Sequence, residues 1–107
     1  MSESKFEIVI LAEVKEFINS FDMATAAKIA KAIDLLDIFG PKLNMPHSKK
    51  IDRDIYELRI CGRKEIRIFY AFICGKVFLL HGFIKKSDKL PSKEIKIARN
   101  RGRDLTP

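Results

Sequence analysis

The sequence of 107 residues predicts a single α+β domain spanning residues 1–107: an N-terminal strand, two antiparallel helices, a three-stranded antiparallel meander and a short C-terminal helix. Three observations indicate this fold. Apolar residues recur at helical spacing between residues 11 and 39, and they alternate with polar residues between residues 56 and 72. Turn-forming residues separate these regions, with Gly40-Pro41 after the helices and Cys74-Gly75 within the meander.

The N-terminal half is predicted as a strand at residues 6–10 followed by two helices. The second helix has Asp22 as its candidate N-cap and ends at Phe39, directly before Gly40-Pro41. We expect the two helices to pair and to cover one face of the sheet with their apolar stripes. Residues 41–54 contain two prolines and four cations, and are predicted to be a mobile loop.

The C-terminal half is predicted as strands near residues 55–61, 65–73 and 76–84, followed by a helix at residues 92–101 that begins after Pro91. An apolar strip lies on the outward face of these strands, and we expect the last helix or a partner protein to cover part of it. The strip consists of Phe69, Phe78, Leu80 and Ile84.

Two arginines are predicted to meet on this outward face of the sheet. With a turn of odd length at residues 62–64, Arg59 lies directly opposite Arg67, whereas an even turn would bury Arg67 among apolar side chains. Directly opposed side chains lie about 5 Å apart at Cβ, and like charges in such positions are destabilising. We infer that the pair binds an anion.

The last hairpin is predicted with a two-residue turn, which fixes the neighbours of the arginines. In that register His81 lies on the helix-covered face, where a hydrogen-bonded core histidine is expected. Gly82 then lies opposite Arg67, either leaving space for a ligand or marking a plain bulge. Lys86 shares the face of Gly82. We therefore expect Lys86, and not Lys85, to point towards the arginines.

The charge of the chain is unevenly distributed. Residues 1–40 have a net charge of −3 and residues 41–107 one of +10, within a total of +7. Such asymmetry indicates a polyanionic partner, with nucleic acid favoured over an anionic membrane, or simply a solvated basic surface. Non-specific phosphate contacts are predicted for Lys42, Lys49, Lys50, Arg53, Arg63, Lys64, Lys89 and Lys93.

Other classes of protein fit the sequence poorly. No apolar run approaches the ~20 residues that a membrane span needs, and residues 1–4 do not resemble a secretory signal. The two cysteines, Cys61 and Cys74, form no Cys-x-x-Cys pair, which favours free thiols in a reducing cytoplasm. Neither they nor the two histidines have the spacing of metal ligands, so no metal or other cofactor is expected.

Five short pieces occur in a fixed order after Pro46: Ser48-Lys49-Lys50-Ile51, Ile55-Tyr56-Glu57-Leu58-Arg59, Ile66-Arg67-Ile68-Phe69-Tyr70, Leu79-Leu80-His81-Gly82-Phe83-Ile84-Lys85-Lys86 and Leu90-Pro91-Ser92-Lys93-Glu94-Ile95. Each is weak alone. Their order and spacing resemble bacterial type II toxins of the RelE/HigB superfamily, in particular a phage-derived HigB-like branch. The resemblance covers over half of the chain.

The resemblance implies an endonuclease that cleaves messenger RNA on the ribosome without a metal, inhibits translation, and is neutralised by an antitoxin of the helix-turn-helix type. Operator DNA would be bound only through the antitoxin complex. By position, Arg59, Arg67 and the pair Lys85-Lys86 match the catalytic cations. Some relatives have another cation in place of Glu57, and a catalytic tyrosine or histidine near the C-terminus, whereas this sequence has neither residue type beyond Lys86.

These departures leave several roles open. The general base is either Lys86, if the arginines depress its pKa, or His47. Glu57 is either a structural partner of Arg59 or a catalytic group, and Phe69 either stacks on an RNA base or lies beneath a helix or partner. The alternatives to an active nuclease are a non-catalytic RNA-binding or ribosome-binding module and a degenerate toxin that acts only in an antitoxin complex.

Overall fold

A computed structural model describes residues 6–107, so the prediction made for residues 1–4 lies outside the described part of the chain. No helix in that part is long and apolar enough to cross a membrane. The elements in chain order are β1 (Ile8–Ile10), α1 (Ala12–Asn19), α2 (Met23–Phe39), a short 3-10 helix (Gly40–Lys42), β2 (Ser48–Lys50), β3 (Tyr56–Ile60), β4 (Glu65–Ile73), β5 (Lys76–Lys85) and α3 (Ser92–Leu105).

The strands form one five-stranded sheet in the order β1-β5-β4-β3-β2. Within residues 6–107, only the β1–β5 pair is parallel, because α1 and α2 carry the chain from one edge of the sheet to the other before the meander returns. The predicted α+β layout is therefore confirmed. The prediction of a loop over residues 41–54 was wrong in part, since this segment contains the 3-10 helix and β2.

The start and end of α2 follow from local chemistry. The side chain of Asp22 accepts a hydrogen bond from the backbone nitrogen of Thr25 at 3.1 Å, which confirms the predicted N-cap. The helix ends at Phe39, as predicted, and Gly40 adopts φ +50°. A Cβ at Gly40 would lie 2.4 Å from ring atoms of Phe6, so glycine is required both for the conformation and for this contact.

The sheet has helices on both faces. We call the side covered by α1 and α2 the inner face; its core includes Val14, Ile29, Leu36, Leu58, Ile68 and Tyr70. We call the other side the outer face, where α3 packs Ile95 and Ala98 against Phe69, Ala71 and Leu80. The expectation that the last helix covers the outer apolar strip is confirmed for Phe69, Phe78 and Leu80.

A β-bulge in the last hairpin changes the predicted register. Tyr70 pairs with Leu79, but the next pair is Phe69 with His81, so Leu80 is an extra residue on β5. Beyond the bulge every side chain changes face. The predictions that His81 and Ile84 lie on the inner and outer faces, respectively, were therefore wrong: His81 lies on the outer face and Ile84 lies on the inner one, opposite Ile66.

Gly82 is also displaced by the bulge. It pairs with Ile68 rather than with Arg67, and a Cβ at Gly82 would lie 2.3 Å from Cδ2 of Phe17 in α1. The predicted glycine gap beside Arg67 is therefore absent, because Phe83 occupies the position opposite Arg67. Gly82 instead permits the close approach of α1 to β5.

Candidate functional site

Arg59 on β3 and Arg67 on β4 are direct partners across the antiparallel pair, near the turn that joins the two strands. The odd turn predicted from the sequence is confirmed. Both side chains belong to the outer face, since Leu58, Ile66 and Ile68, which alternate with them, lie in the inner core. The sheet thus brings two guanidinium groups together, as the sequence predicted.

Glu57 lies between the two arginines. Its Oε1 is 3.9 Å from Nε of Arg59, and its Oε2 is 3.8 Å from Nε of Arg67. Glu57 is only 4% exposed, so this carboxylate has little access to water. A buried carboxylate requires opposite charge nearby, which supports a structural role for Glu57.

Arg67 is held in place by further contacts. Its NH1 donates a hydrogen bond to the backbone oxygen of Ile66 at 3.0 Å, and its NH2 donates to Oε1 of Glu65 at 2.9 Å. This hydrogen bond is the main reason that the pKa of the Glu65 carboxyl is lowered. Arg67 is 2% exposed, so it is a buried cation between two carboxylates.

Arg59 is more accessible than Arg67. Its side chain is 25% exposed, and its NH1 is 3.4 Å from the sulfur of Met45, a weak acceptor. Nε of both arginines is buried and has no hydrogen-bond partner within the described chain. Since buried donors are nearly always satisfied, these two atoms beside Glu57 are an exception that sets the site apart.

His47 adjoins this site through the backbone. Its carbonyl oxygen accepts a hydrogen bond from the nitrogen of Arg59 at 2.9 Å, which continues the β2–β3 register by one residue. His47 therefore lies beside Arg59, and Lys49 pairs with Glu57. Both are exposed. Of the predicted site residues, the structure brings together Arg59, Arg67, His47 and Lys49.

The two lysines at the end of β5 lie on the opposite faces from those predicted. Lys85 pairs with Glu65 and so lies on the same face as Arg67. The expectation that Lys86 rather than Lys85 points towards the arginines was wrong, because the bulge shifts the register by one residue. Both lysines and Lys89 line a cavity of about 230 Å³ between β5 and the start of α3.

Several predicted RNA contacts lie elsewhere. Phe69 is fully buried beneath α3, with its ring centroid 4.9 Å from that of Phe83, so it cannot stack on a base while α3 is in place. Lys50 lies over the ring of Tyr56, which packs against the inner core. Arg63 and Lys64 line a cavity of about 490 Å³ beside the start of α2.

Arg53 lies at the opposite end of β3 from the arginine pair. It lines a cavity of about 630 Å³ between the loop before β3 and the C-terminal half of α3. Two ionic side chains, Asp52 and Arg99, join that loop to the helix. Arg53 is therefore separated from the site of Arg59.

His81 lies on the outer face, where α3 binds both of its ring nitrogens. Its Nε2 is 2.7 Å from Oε1 of Glu94, and its Nδ1 is 3.4 Å from NH1 of Arg101. Since an arginine only donates, Nδ1 accepts and Nε2 carries the hydrogen that is donated to Glu94. The histidine is hydrogen-bonded, as the sequence predicted, but on the other face and as an anchor for α3.

Arg101 also binds the bulge itself. Its NH1 donates to the carbonyl oxygen of Leu80, the extra residue, at 2.8 Å. Glu94 and Arg101 were not among the residues predicted from the sequence to be functional, although their seven-residue spacing places them on one face of a helix. That spacing is the signal that could have identified them as residues that bind the sheet.

The fold and the site together define a class: a small α+β domain with basic residues concentrated in its sheet and last helix, and an arginine pair on the outer face. The family model of the phage-derived Gp49-like proteins (DUF891) matches residues 16–103. The chain belongs to this family, which is a toxin-like family of the RelE/HigB type. None of the curated proteins compared with the chain matches it.

Proposed function

We propose that this protein is the toxin of a type II toxin–antitoxin pair and that it cleaves messenger RNA on the ribosome, in the cytoplasm, without a metal. Membership of a toxin-like family supports the proposal, as does the net charge of +10 over residues 41–107. The observation that carries it is the direct pairing of Arg59 with Arg67 on one face of the sheet.

In the proposed reaction, the ribose 2′-oxygen attacks the adjacent phosphorus while the bond from phosphorus to the 5′-oxygen breaks. The products are a 2′,3′-cyclic phosphate end and a 5′-hydroxyl end. Arg59 is a permanent cation with a planar set of donors, which suits it to stabilise the charge that develops on the phosphate oxygens. Arg67 adds positive charge from beneath the surface.

The proton of the 2′-hydroxyl must be transferred to a base. The position of His47 beside Arg59 favours it over Lys86, since an imidazole is the side chain that most often serves as a general base. The leaving 5′-oxygen must gain a proton, and the ammonium group of Lys85, on the same face as the arginines, is the proposed donor. A cognate antitoxin, of the helix-turn-helix type, would neutralise the toxin and supply contacts to operator DNA.

The proposal is tested by induced expression without an antitoxin, together with mapping of cyclic-phosphate ends on ribosome-bound message. The chain should arrest growth and generate such ends, and Arg59→Ala should reduce cleavage by about 10²-fold or more. Lys76→Ala is the matched control, because Lys76 is an exposed cation that pairs with Glu7 at 3.3 Å, at the opposite end of β5 from the site. Full activity of folded Arg59→Ala would contradict the proposal.

One observation favours a second candidate, a binding module or degenerate toxin without nuclease activity. Arg67 is buried and bound by both Glu57 and Glu65, so the arginine pair and its carboxylates have no net charge. Such a protein would bind ribosomes or RNA in a salt-dependent manner without producing new ends. Binding without cleavage, or operator binding by the antitoxin complex without damage to message, would support this candidate.

A further inference from the structure

We propose that Glu57 is an internal counter-anion that occupies the phosphate position of the site, so that RNA binds by displacing this carboxylate from Arg59. This inference rests on the proposed function, because it concerns how the same site is regulated. It begins from the position of the Glu57 carboxylate, 3.9 Å from Nε of Arg59 and 3.8 Å from Nε of Arg67.

These two contacts are close enough for strong electrostatic attraction but too long for hydrogen bonds. Correspondingly, both Nε atoms are buried donors without a hydrogen-bond partner in the described chain. A carboxylate that only neutralised the pair structurally would be expected to accept these hydrogens. The geometry instead resembles a site for a somewhat larger anion with diverging oxygens, such as a phosphodiester.

The charges explain why displacement is required. Arg59, Arg67, Glu57 and Glu65 sum to zero, so a phosphodiester entering beside an undisturbed Glu57 would place two anions in a largely buried site. If Glu57 moves away, one negative charge replaces another and the arginines remain neutralised. The site is therefore closed to anions until Glu57 leaves it.

Arg59 is held by weaker contacts than Arg67, which identifies Arg59 as the arginine that exchanges Glu57 for the phosphate. Arg67 stays bound to Glu65 and to the carbonyl of Ile66. Arg59 is partly exposed, and the hydrogen bond of its guanidinium to the sulfur of Met45 is weak. The phosphate is thus received by Arg59, next to His47, while Arg67 keeps its contacts with Glu65 and Ile66.

The test compares the binding of a 2′-O-methyl RNA oligonucleotide, which lacks the attacking hydroxyl, to the full chain and to Glu57→Gln. The variant should bind about tenfold more tightly, since no carboxylate has to be separated from the arginines before the phosphate enters. The dependence of log affinity on log salt should also steepen by about 0.7. Glu7→Gln is the matched control, because it makes the same charge change at an exposed residue paired with Lys76.

Equal affinities of Glu57→Gln and Glu7→Gln, or weaker binding by folded Glu57→Gln, would overturn the proposal. If Glu57→Gln does not fold, the unmodified chain is titrated with the same oligonucleotide by nuclear magnetic resonance. The side-chain carboxyl carbon of Glu57 and Nε–H of Arg59 should shift together and saturate at the same concentration. A Glu57 carboxyl that stays unchanged while RNA binds would also overturn the proposal.

The outcome is independent of whether RNA is cleaved. Tighter binding by Glu57→Gln without cyclic-phosphate ends on ribosome-bound message would support the displacement of Glu57 and contradict the nuclease. Cleavage by the unmodified chain with no gain in affinity for Glu57→Gln would support the nuclease and contradict the displacement of Glu57.

Discussion

Gly82 of β5 lies beneath the ring of Phe17 in α1, so closely that a Cβ on Gly82 would come within 2.3 Å of Phe17 Cδ2. The absence of a side chain at this residue lets α1 pack directly on the strand. The contact depends on the bulge at Leu80, which turns residue 82 to the inner face. Gly82, which the sequence left open as either a ligand gap or a plain bulge, therefore has a role in packing.

Gly82→Ala is therefore expected to destabilise the protein by about 1–3 kcal/mol, because the new methyl group forces the ring of Phe17 away from its position. Urea unfolding followed by circular dichroism measures the change. Gly102→Ala is the control, since its Cβ would lie 3.5 Å from Cδ1 of Leu80 and alanine favours the helix. Equal stability of the two variants would show that Phe17 does not constrain residue 82.

Arg101→Met should weaken the attachment of α3 to the sheet. It removes the donor to the Leu80 carbonyl and one partner of His81, at an expected cost of about 1–3 kcal/mol for the acceptor left unsatisfied. Amide hydrogen exchange should become faster across α3 relative to α2. Arg103→Met, an exposed change on the same helix, should leave exchange nearly unaltered. Unchanged protection in Arg101→Met would contradict this role.

The hydroxyl groups of Ser48 and Tyr70 form a buried hydrogen bond that fastens β2 to the inner core. Ser48→Ala and Tyr70→Phe should each cost about 1–3 kcal/mol, because each leaves one buried hydroxyl without a partner. The double variant should cost less than the sum of the two changes, with a coupling energy of about 1 kcal/mol. Additive losses in denaturant unfolding would indicate that the two hydroxyls act independently.

The buried pair of Ser48 and Tyr70 also makes the stability of the folded protein depend on pH. Burial raises the pKa of Tyr70, so the folded protein retains a proton that the unfolded chain releases at about pH 10. This contribution to stability is present below about pH 10 and is lost as the pH rises towards the higher folded pKa. Between pH 8 and pH 11, the parent chain should lose more stability than Tyr70→Phe. Parallel losses would mean that Tyr70 does not contribute.

The two arginines should respond differently to truncation. Arg67→Met leaves Glu57 without one buried partner, and a loss of about 3–5 kcal/mol is expected. Arg59→Met removes a partly exposed cation and should cost less than about 1 kcal/mol. Thermal unfolding of both variants provides the comparison, and folded Arg59 variants remain suitable for activity assays. Similar losses for the two would contradict the difference in burial.

The sequence predicted the central hairpin correctly because the information needed was local. Alternation assigned Arg59 and Arg67 to the polar side of their strands, and the odd turn placed them opposite each other, as observed. The N-cap at Asp22 and the end of α2 at Phe39 were also correct, since both depend on neighbours within one turn of helix.

The last hairpin was only half predicted, although its turn at Cys74-Gly75 was correctly placed. The pairing of Tyr70 with Leu79 follows from that turn. The bulge after it does not, because the bulge is stabilised by a side chain of α3, 21 residues away in sequence. β2 was missed for a similar reason: its three residues show no alternation, and they are extended because they pair with β3 at the edge of the sheet.

The amino-acid sequence by itself determined the order of the longer helices and strands, the side of each strand on which the arginines lie, and the concentration of positive charge after residue 40. These properties depend on hydrophobic period, turn length and composition, which act over a few residues. Only the tertiary structure decided that α3 buries Phe69, that a bulge turns His81 outward and that Glu57 lies between the two arginines. Those arrangements depend on packing and charge pairing between segments that are distant in the chain. A local sequence pattern carries no information about the free energies of such contacts.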